Sequence, residues 1–122
     1  MVNSFSRNVA PFVVTEIDLA LKARCAGNID LEFTHLENAH VIGQESTFWH
    51  VKVHILMLQW AARNSRVGEF LGQVARIIGA ATKTAFGLVP KGNTGGANVS
   101  PFKVMPIKPE HQAAISRAKA GA

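Results

Sequence analysis

The chain has one cysteine, Cys25, and no tyrosine. A single thiol excludes an internal disulfide and fits a reducing compartment. No apolar run approaches the ~18 residues that a membrane-spanning helix needs. The densest piece, ILMLQWAA, is interrupted at Gln59. The N-terminal stretch MVNSFSRNVAPFVVTEIDLA lacks a basic start followed by a continuous apolar segment, so no secretory leader is expected. Lys and Arg are spaced singly, without a block or interleaved aromatics, which gives nucleic acid little to hold. No Ser–His–Asp order and no nucleophile in an electropositive turn stands out, so an enzyme is the least supported class. The expectation is a cytoplasmic protein with neither a membrane nor a nucleic-acid partner.

What is present suits one globular domain spanning residues 1–122. Hydrophobic residues make up 48% of the chain and charged residues 17%, and a chain of this length hides roughly two-thirds of its unfolded surface. The net charge of +5 is unevenly spread. Residues 1–45 carry three Lys or Arg against six Asp or Glu, and residues 46–122 carry ten against two. A solvated surface is the plain account of that asymmetry.

Periodicity and capping residues predict an all-α fold, a small four-helix bundle. The helices are expected at about 15–26, 30–42, 46–63 and 65–85. Thr15, Asp30 and Ser46 are the natural caps of the first three, and Asn64 or Ser65 of the fourth. Gly27-Asn28 and Gly43-Gln44 are natural stops. Gly68, Gly72 and Gly79 weaken the fourth helix, but the spacing of Phe70, Leu71, Val74, Ile77 and Ile78 supports it. Trp49, Val53, Leu56 and Trp60 fall on one helical face and read as core, as does Met57. Cys25 reads as a small buried hydrophobe. The first two helices resemble a tetratricopeptide-type hairpin, although one unit is not an array. Residues 87–109 are rich in Gly, Asn and Pro. They read as an extended strap that would bury Phe102, Val104, Met105 and Ile107. Residues 110–122 form a short tail or frayed helix.

Four of the five histidines lie within twenty residues: His35, His40, His50 and His54. In an antiparallel pair of helices, residues whose numbers sum to a constant lie at one height. His40 pairs with His50 and His35 with His54 on that rule. His50 and His54 also stand in His-x-x-x-His spacing, which lets two imidazoles on successive turns hold one ion. At ~100° per residue, His35 and His40 point about 140° apart. A site built from His50, His54 and one of His35 or His40 is therefore easier than one using all four. Glu32 or Glu37 is available as an oxygen ligand or supporting acceptor.

Such a set suits Zn, Ni, Co, Fe or Cu, with Met57 or Cys25 tilting the choice to copper. A di-iron carboxylate reading of Glu32-x-x-His35 and Glu37-x-x-His40 fails on the third helix, which supplies no matching motif. The competing account is that the histidines simply pack and hydrogen-bond in a helical core. A second candidate, PKGNTGGANVSPF at residues 90–102, has consecutive amides that suit an anion. It lacks the context of a phosphate loop and reads better as a tight turn.

HLENAHVIGQ, HVKVHILML and GLVPKGNTGGANVSPFKVMPI, in that order, resemble a family of small bacterial proteins classed only as a domain of unknown function. The resemblance runs from about Leu19 to Pro109. It includes His35, Ala39, His40, Gly43, Gln44, His50, His54, Gly72 and Gln73. It implies an association with metal-transport or metal-resistance genes, which favours the ligand reading, and it implies no activity, substrate or cofactor. The expected function is a cytoplasmic transition-metal-binding protein, a buffer, carrier or sensor, with His35, His40, His50 and His54 as candidate ligands. The alternative is a non-enzymatic protein-interaction module or homodimer with structural histidines.

Overall fold

Asn3, Asn28 and Ser46 each turn a side-chain oxygen onto a free amide of the turn that follows: Ser6, Leu31 and Trp49 respectively. Capping of this kind satisfies donors that a helix start leaves without partners. These three residues open α1 (Ser4–Cys25), α2 (Ile29–Gly43) and α3 (Thr47–Arg63). Then follow α4 (Val67–Ala85) and α5 (Pro109–Ala120). The computed structural model describes residues 3–85, 90–100 and 103–121, and among them every regular element is a helix. The fold is all-α, as expected.

α1 begins eleven residues before the expected start at Thr15. Pro11 lies inside it, and a proline in a helix interior costs about 3 kcal/mol. Val9 and Val13 flank it and are both completely buried, which contributes roughly 1.5–3 kcal/mol each. Packing therefore outweighs the break. Thr15 does not cap; its hydroxyl donates back to Pro11 O at 2.8 Å. Gly27, at φ +75°, turns the chain out of α1, and the cap of α2 is Asn28 rather than Asp30, which lies in its first turn. Neither Asn64 nor Ser65 caps α4. Asn64 Nδ2 donates to Trp60 O at the end of α3, and α4 opens where Phe70 N donates to Arg66 O.

α1 packs on α2, α2 on α3, and α3 on α4, while α5 closes over α1 and α2. The centre holds Val13, Leu36, Ile42, Val53, Met57 and Ile115, with Trp60 buried and Trp49 and Leu56 partly so. The Trp49–Trp60 stripe is thus core. Trp49 Nε1 donates to Ser6 O and Trp60 Nε1 to Ile29 O, tying α3 to the starts of α1 and α2. Cys25 is exposed rather than buried: α1 is still packed at Ala20 and Ala23, and two residues on, at about 100° per residue, Cys25 falls on the other side of the helix.

Residues 90–100 and 103–108 contain no helix or strand. Of the apolar residues expected to be covered there, Val104 is 70% exposed. Met105 and Ile107 are half-buried, and Ile107 packs against the core. Phe102 lies outside the described residues. The C-terminal residues form a 12-residue helix with Ala114, Ile115 and Ala118 buried, more than a frayed tail. No described helix is long and apolar enough to cross a membrane.

Candidate metal centre

α2 and α3 carry His40, His50 and His54 to one place. All three are buried, at 2%, 5% and 2% exposure. Their ring centroids stand 4.7 to 5.0 Å apart. One ring nitrogen from each lies within 4.8 Å of the others.

The protonation of two of these rings follows from what they touch. His40 Nδ1 lies 2.6 Å from Asn93 O. A carbonyl oxygen only accepts, so Nδ1 carries the hydrogen and Nε2 carries the lone pair. His54 Nδ1 lies 2.6 Å from Gln73 Oε1. That amide is oriented by its other end, because Gln73 Nε2 donates to Glu69 Oε2 at 2.6 Å and to Gly95 O at 2.9 Å. Both of its hydrogens are used, so Oε1 accepts from His54. His54 Nε2 is then the lone-pair nitrogen as well.

These two Nε2 atoms face each other across 3.1 Å. Two lone pairs at that distance repel unless a cation, either a proton or a metal ion, lies between or beside them. The proton is disfavoured at His40, whose pKa is pushed well below 6.5. Burial is the largest cause, followed by His54 and His50, with Arg76 adding to them and the Asn93 bond opposing. Two nitrogens bound to one tetrahedral ion at about 2.0–2.1 Å stand roughly 3.3–3.4 Å apart. The observed 3.1 Å is close to that. The widest separation in the trio is 4.8 Å, and a modest turn of one imidazole about its soft χ2 closes the difference.

His35 is set apart from the three. Its Nδ1 donates to Glu16 Oε1 at 3.0 Å, and the same oxygen accepts from Asn38 Nδ2 at 2.8 Å. The expected rung of His35 with His54 is replaced by contacts of His40 with both histidines of α3. Rotation explains the difference, since His35 faces α1 where His40 faces α3. Glu32 is likewise committed elsewhere, to both terminal nitrogens of Arg63. Glu37 stays outside the trio. Its pKa is raised by burial first and then by Glu69, with Lys108 opposing.

The glycine-rich segment supports the site through its backbone. Gly95 sits at φ +83°, and a Cβ there would lie 2.5 Å from the His40 ring. Only glycine lets the main chain approach the imidazole so closely. Gln44 pins the same segment, donating from Nε2 to Pro90 O and accepting Gly92 N at Oε1. Asn93 Oδ1 accepts from Gly95 N, and its Nδ2 donates to Ser100 O and Lys103 O. The tight-turn reading of this stretch captured its shape and missed its contact with His40.

A cavity of about 120 Å³ adjoins the three histidines, with Gln44, Ala75, Arg76 and Asn93 also among its walls. Gln73, Asn93, Glu69 and Arg76 were not singled out as site residues by residue type. Gln73 and Gln44 belonged to the family resemblance without a role, and Asn93 acts on His40 through its main chain.

No curated protein and no solved structure matches the chain. A family model does, over residues 7–115. The chain belongs to the family described as "Protein of unknown function (DUF3703)".

Proposed function

We propose that the protein binds one divalent transition-metal ion through His40, His50 and His54 and serves as a cytoplasmic buffer, carrier or sensor. The observation that carries this reading is the 3.1 Å approach of two Nε2 atoms whose opposite ring nitrogens are engaged by acceptors. A ligating histidine characteristically donates its other N–H to a carbonyl or carboxylate, which fixes the tautomer and raises the basicity of the bound nitrogen. His40 has such a partner in Asn93. His54 has one in Gln73, itself held by Glu69.

Three imidazoles suit Zn, Co, Ni, Fe or Cu(II). Sulfur donors that would select Cu(I) lie elsewhere: Met57 is packed in the core and Cys25 is exposed at the end of α1. An exposed thiol also favours a reducing compartment. His35 is left out of the proposed ligand set because Glu16 engages it. Zinc titration against a chromophoric chelator tests the assignment. His40→Ala and His54→Ala each abolish competition, while His35→Ala competes like the native protein. Equal loss from all three would sink the assignment.

A second reading, an interaction module, is favoured by α4. Among the described residues this helix packs on α3 and no other helix, and it exposes Val67, Leu71, Val74 and Ile78. Light scattering tests it: self-association that is removed by Leu71→Glu and indifferent to chelator would support it.

A further inference from the structure

We infer that a second copy of this chain docks antiparallel on the outer face of α4, so that the protein pairs through Val67, Leu71, Val74 and Ile78. The inference rests on the second reading above, names its partner, and makes no use of a metal ion. It begins with an inversion. A surface helix normally turns its apolar stripe to the core and its polar residues to water. α4 does the reverse. Its inward residues are Glu69, Gln73, Arg76 and Ala80. Glu69 accepts from Gln73 Nε2 and Ala97 N, Gln73 accepts from His54, and Arg76 donates to Val99 O. Val67, Leu71, Val74 and Ile78 each stand two positions before one of these, about 200° round the helix. They are 68%, 63%, 44% and 69% exposed. Contiguous apolar surface of this kind marks an interaction site.

Charge selects the occupant. Of the nine exposed positions between 67 and 82, none is charged and only Thr82 is polar. A charged partner or a charged lipid headgroup finds nothing to pair with on such a face. A second copy brings the same uncharged face. The chain carries a net charge of +5, so two copies repel through most of their surfaces, and an uncharged face is where they can meet. Spacing selects the direction. The stripe runs at intervals of four, three and four residues and reads the same from either end. Two copies of α4 laid antiparallel about a twofold axis therefore match stripe to stripe. Val67 meets Ile78 of the second copy, and Leu71 meets Val74. The same register sets Phe70 against Ala75, a large side chain against a small exposed one. A cavity of about 220 Å³ at the α3–α4 turn has Val67 and Phe70 among its walls, and Ile78 of the second copy arrives there.

The test uses untagged full-length protein, with Cys25→Ser in the cross-linking samples because Cys25 is itself exposed. Light scattering over a concentration series should approach twice the 13.1 kDa of one chain. Leu71→Glu, at an exposed position that tolerates a charge without unfolding, should return it to one chain. Val67→Cys protein mixed with Ile78→Cys protein should cross-link through a short bismaleimide into a dimer. Val67→Cys alone should not, since antiparallel copies hold those two positions eleven residues, about 16 Å, apart along the axis. A dimer that Leu71→Glu removes, but in which Val67→Cys alone cross-links as well as the mixture, overturns this inference and leaves α4 standing as an interaction face. So does a monomer that floats with phosphatidylcholine–phosphatidylserine vesicles and loses them on Leu71→Glu. A monomer that ignores those vesicles, or a dimer indifferent to Leu71→Glu, overturns this inference and the reading of α4 together.

Discussion

Gln73 on α4 accepts a hydrogen bond from His54 on α3, with 2.6 Å between Oε1 and Nδ1. The side chain is completely buried and has both of its amide hydrogens committed to Glu69 and Gly95. It therefore behaves as a fixed acceptor and presents the Nε2 lone pair of His54 to His40. Removing such a support typically weakens a metal site by about 10–100-fold. Gln73→Leu is expected to lower zinc affinity by that amount in chelator competition. An unchanged affinity would mean that Gln73 only fills space.

Gly95→Ala tests the other support. Its backbone φ of +83° disfavours any side chain, and the added methyl would meet the His40 ring. Strain of this kind costs about 1–3 kcal/mol. The variant should melt several degrees lower, about 4–8 °C per kcal/mol in a small domain, and should bind zinc more weakly. Gly27→Ala is the control. It carries a similar φ of +75° with nothing near its Cβ, so it should lose stability without losing zinc affinity.

His35 is expected to matter to stability alone. It shares Glu16 with Asn38 across the α1–α2 interface. His35→Leu should destabilise the protein by about 1–3 kcal/mol through the acceptor it leaves behind. Denaturant unfolding measures this, with chelator competition on the same sample showing native zinc affinity.

The metal-free protein should weaken as pH falls below about 6.5. The unfolded chain protonates His40 near that value, while the folded chain resists until well below it. Across this window the unfolded state binds more protons, so stability rises with pH. Glu37, with its pKa raised above 4.5, works in the opposite sense, favouring the folded state at the acid end of its own window and losing that contribution as pH rises. Unfolding curves at about pH 7.5 and 5.5 should therefore differ. The difference should shrink in His40→Gln.

Much of this architecture follows from short-range signals in the chain. Ser46 as a cap and Gly27 as a stop place helix ends because a single oxygen or a single positive φ determines each. The start of α1 escaped because Pro11 and Asn3 oppose or precede any visible apolar period, and Val9 and Val13 become decisive only when α2 and α3 are in place. The facing of His40 and His50 was readable from the antiparallel sum rule, which gives height. It does not give rotation, and His35 and His40 cannot both face α3 from one helix. Gln73 and the carbonyl of Asn93 had no signature of their own: one is an ordinary amide on a helix, and the other is main chain.

The central claim is tested most directly by elemental analysis of untagged protein, purified without chelator from cells supplied with Zn, Cu, Ni, Co and Fe. The expected result is about one ion per chain, bound by three histidines, and absent from His40→Ala protein that still shows the native helical spectrum. Metal-free native protein that also takes up none of these ions on titration would contradict it and return the three histidines to a purely structural role.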